Sequence, residues 1–295
     1  MGIFHYINGA FVPETAAYVS AFDLGVLRGY GIFDYVQIYQ GRPFHLLDHL
    51  ERFKWSAEQV ELPLPLDMSK LEELVHELLA KNPQIDAGIR LILTGGMSGQ
   101  HQLLPEAEAN LLLLFHPFTP LSETCYTHGL KAITTSLLRI MPAVKTTNYM
   151  PAIIAMNKAK KIGFDDAIYM NEKEELLEAT ISNLCFFKEG RLITSDSNAI
   201  VKGVTRSLLL KLAASHFPIE YRSLPLNEVP SCQEAFLCSS RKGVAPLVQI
   251  NEIPIGSGNP GPQTQQMKKL FQEYVNKYFS STLKSSLKTP HFSSV

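Results

Sequence analysis

Residues 145–171 read KTTNYMPAIIAMNKAKKIGFDDAIYMN, and the fold class turns on this stretch. Lys145 follows Ala143-Val144, precedes two β-branched threonines and stands just ahead of a helix, YMPAIIAMNKAKKIG, whose apolar residues include Ile153, Ala155, Met156 and Ala159. A strand pair follows, DAIYMN and then LLEATISNLCFFKEGRLIT at 176–194. Farther on, TRSLLLKLAASH reads as another helix, opening just after Lys202-Gly203.

Upstream, FHYINGAFV places Asn8-Gly9 between two strands, a type I′ hairpin signal. DYVQIYQGRPF reads as a strand and turn. The segment 46–60 is a helix with Leu47, Leu50, Phe53, Ala57 and Val60 on one face, stopped by the prolines of ELPLP. A second helix spans Met68–Leu79, and strands follow at Gly88–Thr94 and Asn110–Phe115. The run HPFTPLSETCYTHG interrupts these elements, so the expected division is a small N-terminal domain at 1–118, a linker at 119–128, a larger domain at 129–280 and a flexible tail at 281–295. The fold class is therefore α+β with two sheet-containing domains. No glycine fingerprint joins a strand to a helix at the spacing of a dinucleotide fold.

The 295 residues are 45% hydrophobic and 19% charged, with a net charge of -1 from 27 basic and 28 acidic side chains. No global field draws such a chain to nucleic acid or an anionic membrane, although a local basic site can hold a small anion. Cys125, Cys185, Cys232 and Cys238 lack metal-ligand spacing and read as reduced thiols of a cytoplasmic protein. The first residues do not form a secretory signal, and the apolar runs are strand-sized.

Four segments carry chemistry. Lys145 reads either as a surface loop lysine or as a functional amine. Glu178 shares a nominal strand face with Leu176, Thr180 and Ser182, which is costly for an acid without a partner; Asn183 lies close enough to orient it or to satisfy a turn. Gly203 and Val204 enter a helix with Thr205 and Arg206 in its first turn, an arrangement that either caps the helix or binds an anion. CSSRKGVAP sets Ser239 and Ser240 before Arg241, and Arg52 sits on the polar face of the first long helix. Together these pieces suit a phosphorylated aldehyde cofactor: a lysine to form a Schiff base, a carboxylate for a ring nitrogen, and hydroxyls, amides and an arginine for phosphate. No nucleophile elbow, nucleotide-type phosphate loop or metal motif competes.

In the order HLERF, KTTNYMPAIIAMNKAKKIGFDDAIYMN, EATISNLCFF and GVTRSLLLKLA, the chain resembles the fold-type IV, or class IV, pyridoxal phosphate enzymes over about residues 5 to 280. That group includes branched-chain and D-amino acid aminotransferases and aminodeoxychorismate lyases. The resemblance implies a smaller N-terminal α/β domain and a larger C-terminal domain with a barrel-like sheet, pyridoxal 5'-phosphate as cofactor, and a homodimer. It implies that Lys145 is the Schiff-base lysine, that Glu178 meets the pyridine nitrogen, that Arg52, Val204, Thr205 and Ser240 hold phosphate, and that Asn183 belongs to the cofactor set.

The first reading is an amino acid aminotransferase acting between amino acids and 2-oxo acids, with branched-chain substrates favoured by Arg90 in AGIRLILTGG, which resembles an arginine near the substrate carboxylate. The alternatives are an aminodeoxychorismate lyase, a D-amino acid aminotransferase, and a catalytically silent scaffold or interaction protein. D-specific members place an arginine where this chain has Gly95. In AFDLGVLRGYGIFDYVQIY, residues 21–39, Phe33 resembles the aromatic wall of the substrate site, while Val26 stands where a ring is common. Arg28 and Arg241 are this chain's own departures and are candidates to rebuild carboxylate recognition.

Overall fold

The computed structural model describes residues 2–99 and 103–280; the tail expected at 281–295 lies outside them. Among the described residues two sheets form. The first has six strands, β1 Phe4–Ile7, β2 Ala10–Pro13, β3 Gly31–Tyr39, β4 Arg42–Pro43, β5 Ala87–Thr94 and β6 Asn110–Pro117, in the order β2-β1-β6-β5-β3-β4. Asn8 and Gly9 both adopt positive φ, as the expected hairpin turn requires. Helices α2 (Leu46–Gln59) and α3 (Met68–Ala80) pack on one face of this sheet, burying Phe53, Leu71, Leu78, Ile89, Leu91 and Phe115 in one cluster.

The second sheet has ten strands: β7 Leu130–Thr135, β8 Asp166–Met170, β9 Glu175–Ala179, β10 Ser182–Lys188, β11 Arg191–Thr194, β12 Ile219–Tyr221, β13 Leu224–Pro225, β14 Glu234–Ser239, β15 Gly243–Ile250 and β16 Ile253–Pro254. The path β10-β14-β15-β7-β8-β9 returns to β10 through a further pairing, so the sheet closes on itself as a barrel and leaves no free edge in that circuit. Leu130, Ile168, Leu184, Phe186, Leu237 and Leu247 belong to one buried cluster of this sheet, and helices α6 (Val204–Ala213) and α7 (Pro262–Ser280) join a separate cluster around Phe187, Phe236 and Met267. The short helices α1 (Leu24–Arg28) and α4 (Glu123–Thr127), and α5 (Met150–Lys161), complete the α-helices of the described residues, beside 3-10 turns at Glu14–Ala16 and Leu226–Ser231.

Three local expectations change. The stretch 176–194 is three strands rather than one, because Thr180-Ile181 and Glu189-Gly190 each reverse the chain; Leu176, Glu178, Thr180 and Ser182 therefore share no single strand face. In α5 the buried face is Ala152, Ala155 and Ala159, while Ile153 is 58% exposed, since close approach to β8 favours the small residues. In α2 Leu47 is half exposed and Arg52 is buried, the reverse of the amphipathic reading, because Arg52 has a buried carboxylate partner.

Candidate active site

The site forms where the two sheets meet. The backbone around Lys145 pairs with the start of β3: the Phe33 amide donates to the Lys145 carbonyl at 2.9 Å and the Thr147 amide to the Gly31 carbonyl at 2.8 Å. Gly31 permits this seam, since a Cβ there would meet the Leu93 carbonyl oxygen at 2.9 Å and Thr147 Oγ1 at 3.0 Å. This places Lys145 Nζ 4.4 Å from the centre of the Phe33 ring. Burial of the ammonium, reinforced by the guanidiniums of Arg52 and Arg139, pushes the Lys145 pKa down to about 8.

Glu178 and Asn183 flank the Thr180-Ile181 turn and stand opposite each other in register. Asn183 Nδ2 donates to Glu178 Oε2 at 3.0 Å, and the Val201 amide donates to the same carboxylate at 3.2 Å. Arg139 forms a charge-assisted hydrogen bond with Glu178 Oε1. Burial still dominates and raises the Glu178 pKa to about 7, with Arg139, the Val201 amide and Lys145 opposing it. Such a carboxylate is under-compensated and suited to a further cation or N–H donor.

The next residues extend this unit. Asn183 Nδ2 also donates to the Val201 carbonyl at 2.8 Å, and the adjacent Lys202 carbonyl accepts from Arg52 Nη1 at 3.2 Å. Gly203 then begins α6 with no side-chain cap, leaving the first amides, including those of Val204 and Thr205, directed out of the helix end. Residues 201–203 thus join the carboxylate, the arginine and a helix N-terminus within one short segment.

Arg52 is oriented by Asp34, which accepts from Nε and Nη2 at 2.8 Å each and also meets His49 Nδ1 at 2.8 Å. Burial acts to raise the Asp34 pKa, but the charges and hydrogen bonds of Arg52 and His49 outweigh it and hold the carboxyl well below its usual range. The fork geometry leaves Nη1 as the end turned toward the 201–203 segment.

Phe33 is wedged among three groups. Besides Lys145, its ring makes an edge contact with Tyr149 at 5.2 Å and lies 5.7 Å from the Arg90 guanidinium. Arg90 is exposed on β5 opposite Tyr35. Arg241 is exposed in the β14–β15 turn, with Nη2 3.5 Å from the Thr119 carbonyl, and Ser240 is half-buried beside it. Arg28 is exposed at the end of α1 and lines a cleft of about 310 Å³ with Gly31, Thr146 and Asn148.

Arg139, Asp34 and Tyr149 escape the sequence reading. Asp34 carries the same signal as Glu178, an acid inside an apolar strand, whereas Arg139 lies in a loop whose sequence gives no sign of its partner 39 positions away. Among the described residues the buried hydroxyls of Tyr169 and Ser182 have no hydrogen-bond partner.

The amino-transferase class IV family model matches residues 31–250. The chain belongs to this family. The putative branched-chain-amino-acid aminotransferase of Methanocaldococcus jannaschii is 31% identical over 282 residues, covering 92% of this chain and 96% of the relative. D-alanine aminotransferase of Staphylococcus haemolyticus is 27% identical over 279 residues, covering 92% and 97%. The fold matches the branched-chain amino acid aminotransferase of Thermobaculum terrenum, solved in its PLP-bound holo-form, at TM-score 0.83 and 23% identity over 93% of this chain and 94% of that one. The Escherichia coli branched-chain enzyme matches at TM-score 0.83 and 21% identity, over 95% of each chain. The two-sheet, barrel-containing architecture is therefore that of the fold-type IV pyridoxal phosphate enzymes. The donor set fits their cofactor: one desolvated amine, one under-compensated buried carboxylate, and an uncapped helix end beside an arginine.

Proposed function

We propose that this class IV protein is a pyridoxal-phosphate-dependent aminotransferase acting between an amino acid and a 2-oxo acid, with branched-chain amino acids as its first substrate class. The observation that carries this reading is the union, through residues 201–203, of Glu178 and Arg52 beside the desolvated Lys145. When bound, pyridoxal 5'-phosphate supplies an electrophilic carbonyl and an electron-withdrawing ring that acidifies the substrate α-carbon. Lys145 would hold the cofactor through its Nζ, and the same amine, when free and neutral, would move a proton at the substrate α-carbon. Glu178, held by Asn183 and Arg139, keeps a proton on the ring nitrogen. Arg52 Nη1, the Val204 and Thr205 amides, the Thr205 hydroxyl and Ser240 bind the phosphate. Phe33 forms a substrate wall, and Arg90, Arg28 and Arg241 are carboxylate ligands.

A D-amino acid aminotransferase is the second reading, favoured by the D-alanine aminotransferases that cover nearly the same span at 27–29% identity. The chain works as a cytoplasmic homodimer in this proposal. Exposed Phe22, Val26, Leu104, Ile140 and Ile153 support a second copy as the partner, and sedimentation of the purified protein tests it. The deciding assay offers L- and D-amino donors with several 2-oxo acceptors and identifies products. Amino transfer that disappears in Lys145→Ala supports the reading; unchanged turnover in that variant, or release of pyruvate from aminodeoxychorismate without amino transfer, overturns it.

A further inference from the structure

Lys242 lies in the three-residue turn that joins β14 to β15, the turn that carries Ser240 and Arg241. Its neighbour Arg241 is exposed, but Lys242 turns inward and is only 7% exposed. Its Nζ meets Asp166 Oδ2 at 2.8 Å, and the Asp166 side chain is 2% exposed. The other oxygen, Asp166 Oδ1, accepts from the Thr180 hydroxyl and from the Ala167 amide, and the Thr180 amide donates to the Ala167 carbonyl at 3.0 Å. Thr180 belongs to the two-residue turn between Glu178 and Asn183. Because Asn183 pairs with Cys238, the next residues of both strands run into their turns side by side at one end of the sheet.

We propose that the Lys242–Asp166 pair, with Thr180, is a tie between the turn bearing Ser240 and Arg241 and the hairpin bearing Glu178 and Asn183, and that Lys242 is a positioning residue for the cofactor-phosphate and substrate-carboxylate ligands. This rests on the aminotransferase reading. A buried ion pair is a poor source of stability, since two desolvated charges recover little more than well-packed apolar side chains of similar volume. Its use here is geometric. A three-donor ammonium fixed to a carboxylate that is itself held by Thr180 and Ala167 sets the height of the turn, and with it where Ser240 and Arg241 stand relative to Glu178. The Lys242 carbonyl accepts from Tyr126 at 2.9 Å, so the turn is held from outside the pair as well, and losing the tie tilts it rather than unfolding it.

The test compares wild type, Lys242→Met, Lys242→Arg and the double variant Lys242→Met/Asp166→Leu, the last removing both charges while keeping volume. Each is stripped and titrated with pyridoxal 5'-phosphate by absorbance, melted without cofactor, and assayed for KM and kcat. The expected result is a double variant with near-wild-type melting, cofactor binding weakened by about tenfold, a KM for the 2-oxo acid raised several-fold, and kcat within about threefold of wild type; Lys242→Arg restores part of both losses. Wild-type cofactor affinity and KM in the double variant overturn the tie. So does a loss of affinity that follows the melting temperature across all variants, which marks the pair as structural only. Failure of wild type itself to bind the cofactor overturns both this inference and the aminotransferase reading.

Discussion

Glu178 and Asn183 face each other across a two-residue turn, and the Asn183 amide group bridges from the Glu178 carboxylate to the Val201 carbonyl. The carboxylate is thereby aimed from two sides before any ligand arrives. Glu178→Gln keeps the shape and removes the charge, so it is expected to bind pyridoxal 5'-phosphate while losing about 10²-fold or more in kcat. Steady-state rates set beside a cofactor titration check this.

Protonation gives the second expectation. With the free Lys145 amine near 8, the neutral fraction able to capture a carbonyl rises as the pH passes through that value, so uptake of pyridoxal 5'-phosphate by the stripped protein, followed by absorbance, is expected to quicken on the alkaline side and level off above it. In the stripped protein the two buried groups pull stability in different windows. The Lys145 pKa falls on folding from 10.5, so its penalty is full below about 8 and is relieved as pH rises toward 10.5. The Glu178 pKa rises on folding from 4.5, so its penalty grows between 4.5 and about 7 and stays above that. Urea midpoints across this range are expected to lose the alkaline rise in Lys145→Met and the acid-side fall in Glu178→Gln.

Asp34 is the third target, since it fixes both Arg52 and His49 while being wholly buried. Asp34→Ala leaves a buried guanidinium without its counter-charge and is expected to cost about 3–5 kcal/mol. Unfolding measures that loss, and phosphate competition against cofactor binding reports the disorientation of Arg52 Nη1.

Gly203→Ala is a steric probe. The added Cβ falls 2.0 Å from Asn183 Oδ1, so either the asparagine swings away from Glu178 or the start of α6 moves. A stability loss of about 1–3 kcal/mol is expected together with weaker cofactor binding. Wild-type affinity in a folded Gly203→Ala protein contradicts the coupling of the 201–203 segment to the site.

Arg90→Gln and Arg241→Gln separate the exposed cations. Arg90 lies beside Phe33 and hence near Lys145, so Arg90→Gln is expected to raise KM for the 2-oxo acid by about tenfold, with little change in cofactor affinity. A smaller rise is expected for Arg241→Gln.

Local pattern carried much of this. The Asn8-Gly9 hairpin, the helices at 46–59 and 68–80, and the strands at 87–94 and 110–117 follow from turn chemistry and periodicity, which act within a few residues. Lys145, Glu178, Arg52 and the start of α6 were legible as types of group in a recognisable order. Their roles as single charges were not. Arg52 reads as a phosphate candidate on a polar helix face, but its burial is not legible, because its counter-ion Asp34 lies on another element and a helix pattern cannot show a cross-element ion pair. Glu178 read as one face of a long strand because nothing in TIS announces the reversal at Thr180-Ile181.

The inventory is local: an amine, an acid, an anion-seeking helix end and a set of arginines, distributed along strands and helices of the right length. Which of them share a low-dielectric space is set by the packing of distant segments. Closure of the second sheet through β9 and β10 brings Glu178 to Asn183 and Val201, and the seam at Gly31 brings Lys145 to Phe33. Desolvation depends on every atom that surrounds a charge, and most of those atoms come from remote parts of the chain; that is why the shifted Lys145 and Glu178 pKa values belong to the fold and not to any stretch of sequence.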